Sequence, residues 1–155
     1  MMVDVRAKGA SFEKDIRDKL RVVTKKAWER APASGALNAR YGMKGDLILP
    51  VTTGAISLYA IECKAYADDQ ISSNLIYPAD QVFDGWWAQT VREASQMNMK
   101  PMLIFKKNRG KHMLAIQECI DGYSYLHLHK KNGTDCYIYL FDEVIKELTL
   151  YKEIK

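Results

Sequence analysis

The chain has 155 residues, 48% of them hydrophobic, and its 23 Lys and Arg against 19 Asp and Glu give a formal charge of +4. That length predicts one domain burying roughly two-thirds of its unfolded surface, and a mild positive charge permits a nucleic-acid partner without requiring one. No run approaches the roughly 18 apolar residues of a membrane span, the N-terminus lacks an apolar signal core, and Cys63, Cys119 and Cys136 are far apart with no Cys-x-x-Cys pair, so the expectation is a protein that is neither membrane-bound nor secreted, with reduced thiols in the cytoplasm.

Residues 1–10 read as a loose arm. Ser11 is a candidate N-cap, and Phe12, Ile16, Leu20, Val23 and Ala27 recur at helical spacing behind it. Glu13 then falls in the first turn, where an acidic side chain suits the helix dipole. Pro32 and Gly35 end the helix. The segment that follows, with Asn38, Arg40, Tyr41 and Lys44, reads as a basic loop.

Residues 45–64 carry two short apolar runs, Asp46-Leu47-Ile48-Leu49 and Leu58-Tyr59-Ala60-Ile61-Glu62-Cys63-Lys64, separated by Pro50-Val51-Thr52-Thr53-Gly54. They predict two strands joined by a turn. Alternation sends Tyr59, Ile61 and Cys63 to one face and Ala60, Glu62 and Lys64 to the other. If the hairpin closes, Asp46 reaches the same place as Glu62. Two carboxylates beside a lysine suit a hard cation such as Mg²⁺, which takes one or two protein carboxylates and fills its shell with water and phosphate. The lysine can orient or deprotonate a water. The plainer reading of Glu62 and Lys64 is a solvated strand end with an ion pair along one face.

Beyond a polar connection, residues 79–99 read as a helix started by Pro78. Its broad apolar face places Trp86 and Trp87 on adjacent directions, one suited to the core and the other either to the core or to a partner subunit. Gln81 lies early on this helix. Residues 101–105 and 112–116 read as a hairpin whose turn holds Lys106, Lys107, Arg109 and Lys111. Tyr123, Tyr125, His127 and His129 alternate onto one strand face. A His-x-His can ligate a transition metal, but with no third donor evident the pair reads as surface histidines. Residues 135–140 are a final strand, and Asp142 would cap a short terminal helix over 142–148.

Asp46, a spacer, then Glu62-x-Lys64 resembles the PD-(D/E)xK nuclease superfamily, although Gly45 stands where the family label has proline. Gly9-Ala10-Ser11-Phe12-Glu13 is similar to the opening of the Holliday junction resolvases of the archaeal type, and Arg30 with Ser34-Gly35 matches their segment between first helix and metal aspartate. The resemblance covers residues 8–111. It implies an α/β, restriction-endonuclease-like core, a mixed twisted sheet flanked by helices. It implies Mg²⁺ or Mn²⁺ held by Asp46, Glu62 and the Cys63 backbone carbonyl, with Glu13 on a second ion or its waters and Lys64 positioning the attacking water. It also implies a homodimer cutting branched DNA, a four-way junction, with 5′-phosphate and 3′-hydroxyl products. DNA contacts would then come from Arg30, Ser34, Arg40, Lys44 and the 106–111 turn, and Gln81 is a weak addition near the site. Two alternatives remain open: a nuclease of this superfamily acting on flaps, nicked or restriction-type duplex, and an idle DNA-binding module on the same fold. A third is an unrelated small α/β protein with a coincidental motif.

Overall fold

A computed structural model describes residues 5–31, 45–66 and 72–154 of the chain, with side chains from residue 9 onward. The series Phe12, Ile16 and Leu20 forms one stripe of helix α1 (Val5–Thr24), and all three side chains are buried. The helix begins earlier than expected. Residues 5–10, predicted as part of a loose arm, are already helical, so Ser11 is an exposed interior residue, not the N-cap, and Glu13 lies about two turns inside. Ala7 and Ala10 are strong helix formers and carry the helix past the polar residue that looked like its cap. It also stops sooner, since Lys25 takes a left-handed φ of 60°, leaving Val23 exposed and Ala27 outside the helix.

The remaining elements are β1 (Glu29–Arg30), β2 (Leu47–Ile48), β3 (Ala55–Ser57), β4 (Tyr59–Tyr66), α2 (Val82–Gln96), β5 (Lys100–Lys107), β6 (Met113–Ile116), β7 (Leu126–His129), β8 (Asp135–Leu140), α3 (Phe141–Val144) and β9 (Tyr151–Glu153). Seven strands form one sheet in the order β1-β2-β4-β5-β6-β8-β7, and β3 and β9 form a separate pair. Among the described strands only β4 and β5 run parallel. Parallel neighbours need a long crossover, and α2 supplies it.

Each face of the sheet is covered. On one, Phe12, Ile16 and Leu20 of α1 pack with Tyr59, Ile61 and Cys63 of β4, Met102 and Ile104 of β5, and Phe141, Val144 and Leu150 from the C-terminal segment. On the other, Phe83 and Trp87 of α2 pack with Tyr66, Leu103, Phe105 and Ala115. The expected alternation along β4 therefore holds. Of the two tryptophans, Trp87 is in the core, while Trp86 is half-buried with its ring 5.3 Å from that of Tyr66.

Three local readings change. The connection between β2 and β4 is not a bare turn: it holds β3, which pairs with β9 and so ties the C-terminal segment back to the centre of the chain. Asp142 does not cap α3. Leu140 stands at the N-cap without a side-chain bond, because β8 runs straight into the helix and leaves no break for a polar cap. Tyr123 and Tyr125 precede β7, so the predicted strand there is shorter.

Candidate active site

The first carboxylate is placed by an unusual backbone turn. Gly45 has φ +89°, and a Cβ there would stand 2.9 Å from the Ile61 carbonyl oxygen. Proline, locked near φ −65°, cannot adopt this conformation, which accounts for glycine where the family label has proline. The turn lets the Asp46 N–H donate to Ile61 O at 2.7 Å, and Asp46 Oδ2 accepts the Cys63 N–H at 2.7 Å. Asp46 is thus fastened to β4 from both sides of its own residue, with Glu62 between the two strand residues it touches.

Glu62 is 4% exposed. Its carboxyl lies within hydrogen-bonding reach of those of Asp46 and Glu93, and Glu13 reaches Asp46 in turn. The contacts thus link Glu13, Asp46, Glu62 and Glu93, brought together from α1, the start of β2, β4 and α2. Burial first, then the neighbouring acids, push the Glu62 carboxyl up to about 10. Burial and Asp46 also raise Glu13, against the opposing pull of Arg30. Burial pushes the Cys63 thiol well up, so this cysteine is a packed thiol, not a nucleophile. Glu62 is therefore no part of a solvated strand end. Among the described residues Lys64 makes no ion pair; it is half-buried, one alternation along β4 from Glu62.

Arg30 Nε donates to Glu13 Oε2 at 2.9 Å, and Nη2 stands in ion-pair contact with the same oxygen, also at 2.9 Å. That ion pair orients Glu13 and brings β1 to the centre. Lys106 and Lys107, expected in the turn, are the last two residues of β5. Lys106 and Lys107 pair with Ala65 and Tyr66 across the parallel ladder, just past Lys64. With Asn108 and Arg109 they line one side of a groove of about 490 Å³, whose other side is Ser11, Phe12 and Asp15 of α1. Lys111 is exposed in the same turn. Ser34, Arg40 and Lys44 lie outside the described residues.

Gln81 is not at the site. It is the N-cap of α2, in a capping box with Asp84, and twelve residues of helix separate it from Glu93 by about 18 Å. The glutamine near the acids is Gln89, whose Nε2 donates to Glu93 Oε1 at 3.3 Å. Sequence reasoning missed Glu93, because one acid on an amphipathic helix carries no signature. A signal did exist: Glu93 lies on the flank of the apolar stripe formed by Phe83, Trp87, Thr90 and Ala94, so it is carried toward the sheet rather than to solvent.

A family described as "Phage putative PDDEXK endonuclease" matches residues 4–153. The chain belongs to this family. The match runs well past Lys111, so the C-terminal strands are part of the family's shared chain and not an appendage. "Protein D14" of Escherichia phage T5 is 49% identical over 116 residues, which are 75% of this chain and 72% of that protein. No solved structure matches. As a PD-(D/E)xK nuclease, the chain has the architecture expected of that core: a mixed α/β fold with a mainly antiparallel seven-stranded sheet between helices. Among the described residues no helix is long and apolar enough to cross a membrane.

Nucleases of this superfamily generally use a divalent metal, and the residues here fit one. Glu93 Oε2 is buried with no hydrogen-bond partner among the described residues. An unpartnered buried carboxylate oxygen is costly, and four adjoining carboxyls cannot all ionise without a compensating charge. A proton or a hard cation relieves both problems, and oxygen-only donors match the preference of Mg²⁺ and Mn²⁺.

Proposed function

We propose that this nuclease is a structure-specific DNA endonuclease, dependent on Mg²⁺ or Mn²⁺, that resolves four-way junctions by paired nicks as a homodimer. The observation that carries the reading is the contact of Glu13 with Asp46. Among enzymes with Asp and Glu-x-Lys, a glutamate from the first helix completing the acidic centre is the arrangement that the opening Gly9–Glu13 resembles, and here it is fixed by Arg30.

Asp46, Glu62 and the Cys63 carbonyl would hold the ion, with Glu13 on a second ion or its waters. When bound, a divalent cation polarises the phosphate and lowers the pKa of a coordinated water. The chain's own groups do the rest. Lys64 holds the attacking water by hydrogen bonding and offsets the negative charge of the acids and the phosphate. Arg30 keeps Glu13 oriented and favours its ionised form. Lys106, Lys107, Arg109 and Lys111, with Arg40, Lys44 and Ser34, fix the backbone of the DNA. Such contacts set position without reading bases, in keeping with recognition by shape. Attack in line with the 3′ oxygen leaves 5′-phosphate and 3′-hydroxyl ends. A two-fold dimer would present two such centres to the near two-fold symmetry of a junction.

The test is cleavage of an end-labelled four-way junction beside linear duplex of equal length, in Mg²⁺. Symmetric nicks on opposed strands of the junction alone support the proposal. Equal cutting of both DNAs contradicts junction specificity while leaving a nuclease, and binding without cutting of either contradicts the enzyme and favours an idle module.

A further inference from the structure

Independently of the carboxylate centre, we propose that His127, His129 and Asp135 form a second metal site, for a borderline transition ion such as Zn²⁺, at the edge of the sheet. The His-x-His of β7 lacks a third donor in sequence, and the register of the β7–β8 hairpin supplies it. His129 stands opposite Asp135, and His127 opposite Tyr137. One carboxylate spans both rings: Asp135 Oδ1 is 2.8 Å from His127 Nε2, and Oδ2 is 3.1 Å from His129 Nδ1. All three donor atoms lie within 4.8 Å of one another, and among the described residues no other group of His, Cys, Asp or Glu meets that condition.

The geometry suits an ion in place of two protons. Without a metal, both ring nitrogens facing Asp135 must carry hydrogens to bond it. In a tetrahedral site with bonds of about 2.0–2.2 Å, neighbouring donors stand roughly 3.4 Å apart; the two ring-to-carboxylate spacings would open by about half an ångström, and the three donor atoms already lie within 4.8 Å of one another. These side chains are on the surface, where such a shift is cheap. The ligands are also prepared. The His127 ring stacks on Tyr137 at 4.2 Å and 5°, which fixes its plane. The side chain of His129 is 73% exposed and that of His127 40%, which leaves a fourth position open to water, as in sites with three protein ligands. Two imidazoles and one carboxylate favour Zn²⁺, Ni²⁺ or Cu²⁺ over Mg²⁺, which prefers oxygen and strict octahedral geometry. The two sites therefore call for different ions.

The ion would clip an edge. β7 is the last strand of the sheet, and its turn to β8 is otherwise anchored by the buried Lys130–Asp84 ion pair to the start of α2. A metal joining the last residue of β7 to the first of β8 would close that hairpin from the solvent side.

The test is isothermal titration of Zn²⁺ into the full chain at neutral pH, in saturating Mg²⁺ and in a Glu62→Gln, Cys119→Ser background. These two changes remove the carboxylate centre and the exposed thiol from competition, so failure of the nuclease reading does not affect the outcome. One Zn²⁺ bound per chain, weakened at least tenfold by His129→Asn and by Asp135→Asn, supports the site. Co²⁺ should give a visible d–d band in the parent and not in either variant. Circular dichroism without metal confirms that the variants are folded, and Asp135→Asn, which keeps size and hydrogen bonding, decides the matter if His129→Asn is not. Absence of stoichiometric binding in the parent, or equal affinity in the folded variants, overturns the proposal.

Discussion

The carboxyl group of Glu93 on α2 lies against that of Glu62 on β4, in a region so enclosed that Glu93 Oε2 has no hydrogen-bond partner among the described residues. Without metal, this contact works against the fold at neutral pH. The unfolded chain ionises Glu62 near its ordinary 4.5, whereas the folded chain holds the proton up to about 10. Stability from the neutral carboxyl is therefore complete below the lower value and is lost as pH rises toward the upper one. Glu62→Gln removes the titration. In EDTA the variant should melt above wild type by a margin that is near zero at about pH 4.5 and grows with pH. At pH 8 the gain should reach at least about 1 kcal/mol, or about 2–4 °C for a chain of this size. Melting curves across pH check this, and a margin that shrinks as pH rises contradicts it.

Arg30 acts on the centre through Glu13. Its hydrogen bond and charge at Glu13 Oε2 oppose the effect of burial and Asp46 on that carboxyl. Arg30→Ala should leave Glu13 with a higher pKa and a looser orientation, and weaken divalent-cation binding by about 10–100-fold, the usual effect of losing an outer partner of a ligand. Arg30→Lys should restore part of the loss, since charge returns without the fork. Mn²⁺ binding followed by electron paramagnetic resonance measures both. Equal affinity in wild type and Arg30→Ala contradicts the positioning role.

Much of the centre was legible in the sequence because strand alternation is simple. Given β4, Glu62 had to face away from Ile61 and Cys63, and Asp46 needed only the pairing of Leu47 with Ile61 to arrive. What was not legible depends on longer-range placement. Glu93 comes into contact through the crossover helix, whose rotation about its axis is set by Phe83 and Trp87 packing on Tyr66 and Phe105. Gln81 was set near the site by the family resemblance alone; a helix rises only about 1.5 Å per residue, and the centre lies at the other end. The start of α1 was misjudged because Ser11 offers a cap that a helix already begun at Val5 does not use. Asp135 as partner of His127 and His129 was harder to see: Asn132-Gly133 is a strong hairpin signal, but a two-residue turn there would set Lys130 opposite Asp135, and it is a longer loop, with Gly133 at φ +98° and the Lys130 N–H bonded to Thr134 O, that sets His129 opposite Asp135.

The groove beside β5 gives a prediction about ionic strength. If Lys106 and Arg109 each neutralise one phosphate, the double variant Lys106→Ala, Arg109→Ala should reduce the slope of log binding constant against log salt by about 1.8, at about 0.9 per phosphate on duplex. Binding would be measured in Ca²⁺ to suppress cleavage. A parallel loss of affinity at every salt concentration, with the slope unchanged, would mean that these side chains do not meet phosphates.

The tryptophan pair separates core from surface. Trp87 is 4% exposed and packs with Phe83 and the sheet residues of the same core cluster, so Trp87→Ala should cost about 3–5 kcal/mol. Trp86, half-buried on Tyr66, should cost clearly less. Urea midpoints compare the two. If Trp86 also belongs to a dimer surface, its variant alone should shift the sedimentation coefficient toward that of one chain.

The most direct test of the nuclease centre is the single-turnover cleavage rate of a preformed protein–DNA complex after addition of Mg²⁺, for wild type and Glu62→Gln. The account predicts a fall of at least about 10³-fold in rate with DNA affinity held within about twofold, because Glu62 acts on the reacting phosphate through the ion and not on the grip of the DNA. Cleavage by Glu62→Gln at the wild-type rate, from a complex of equal affinity, would place the chemistry elsewhere on the molecule.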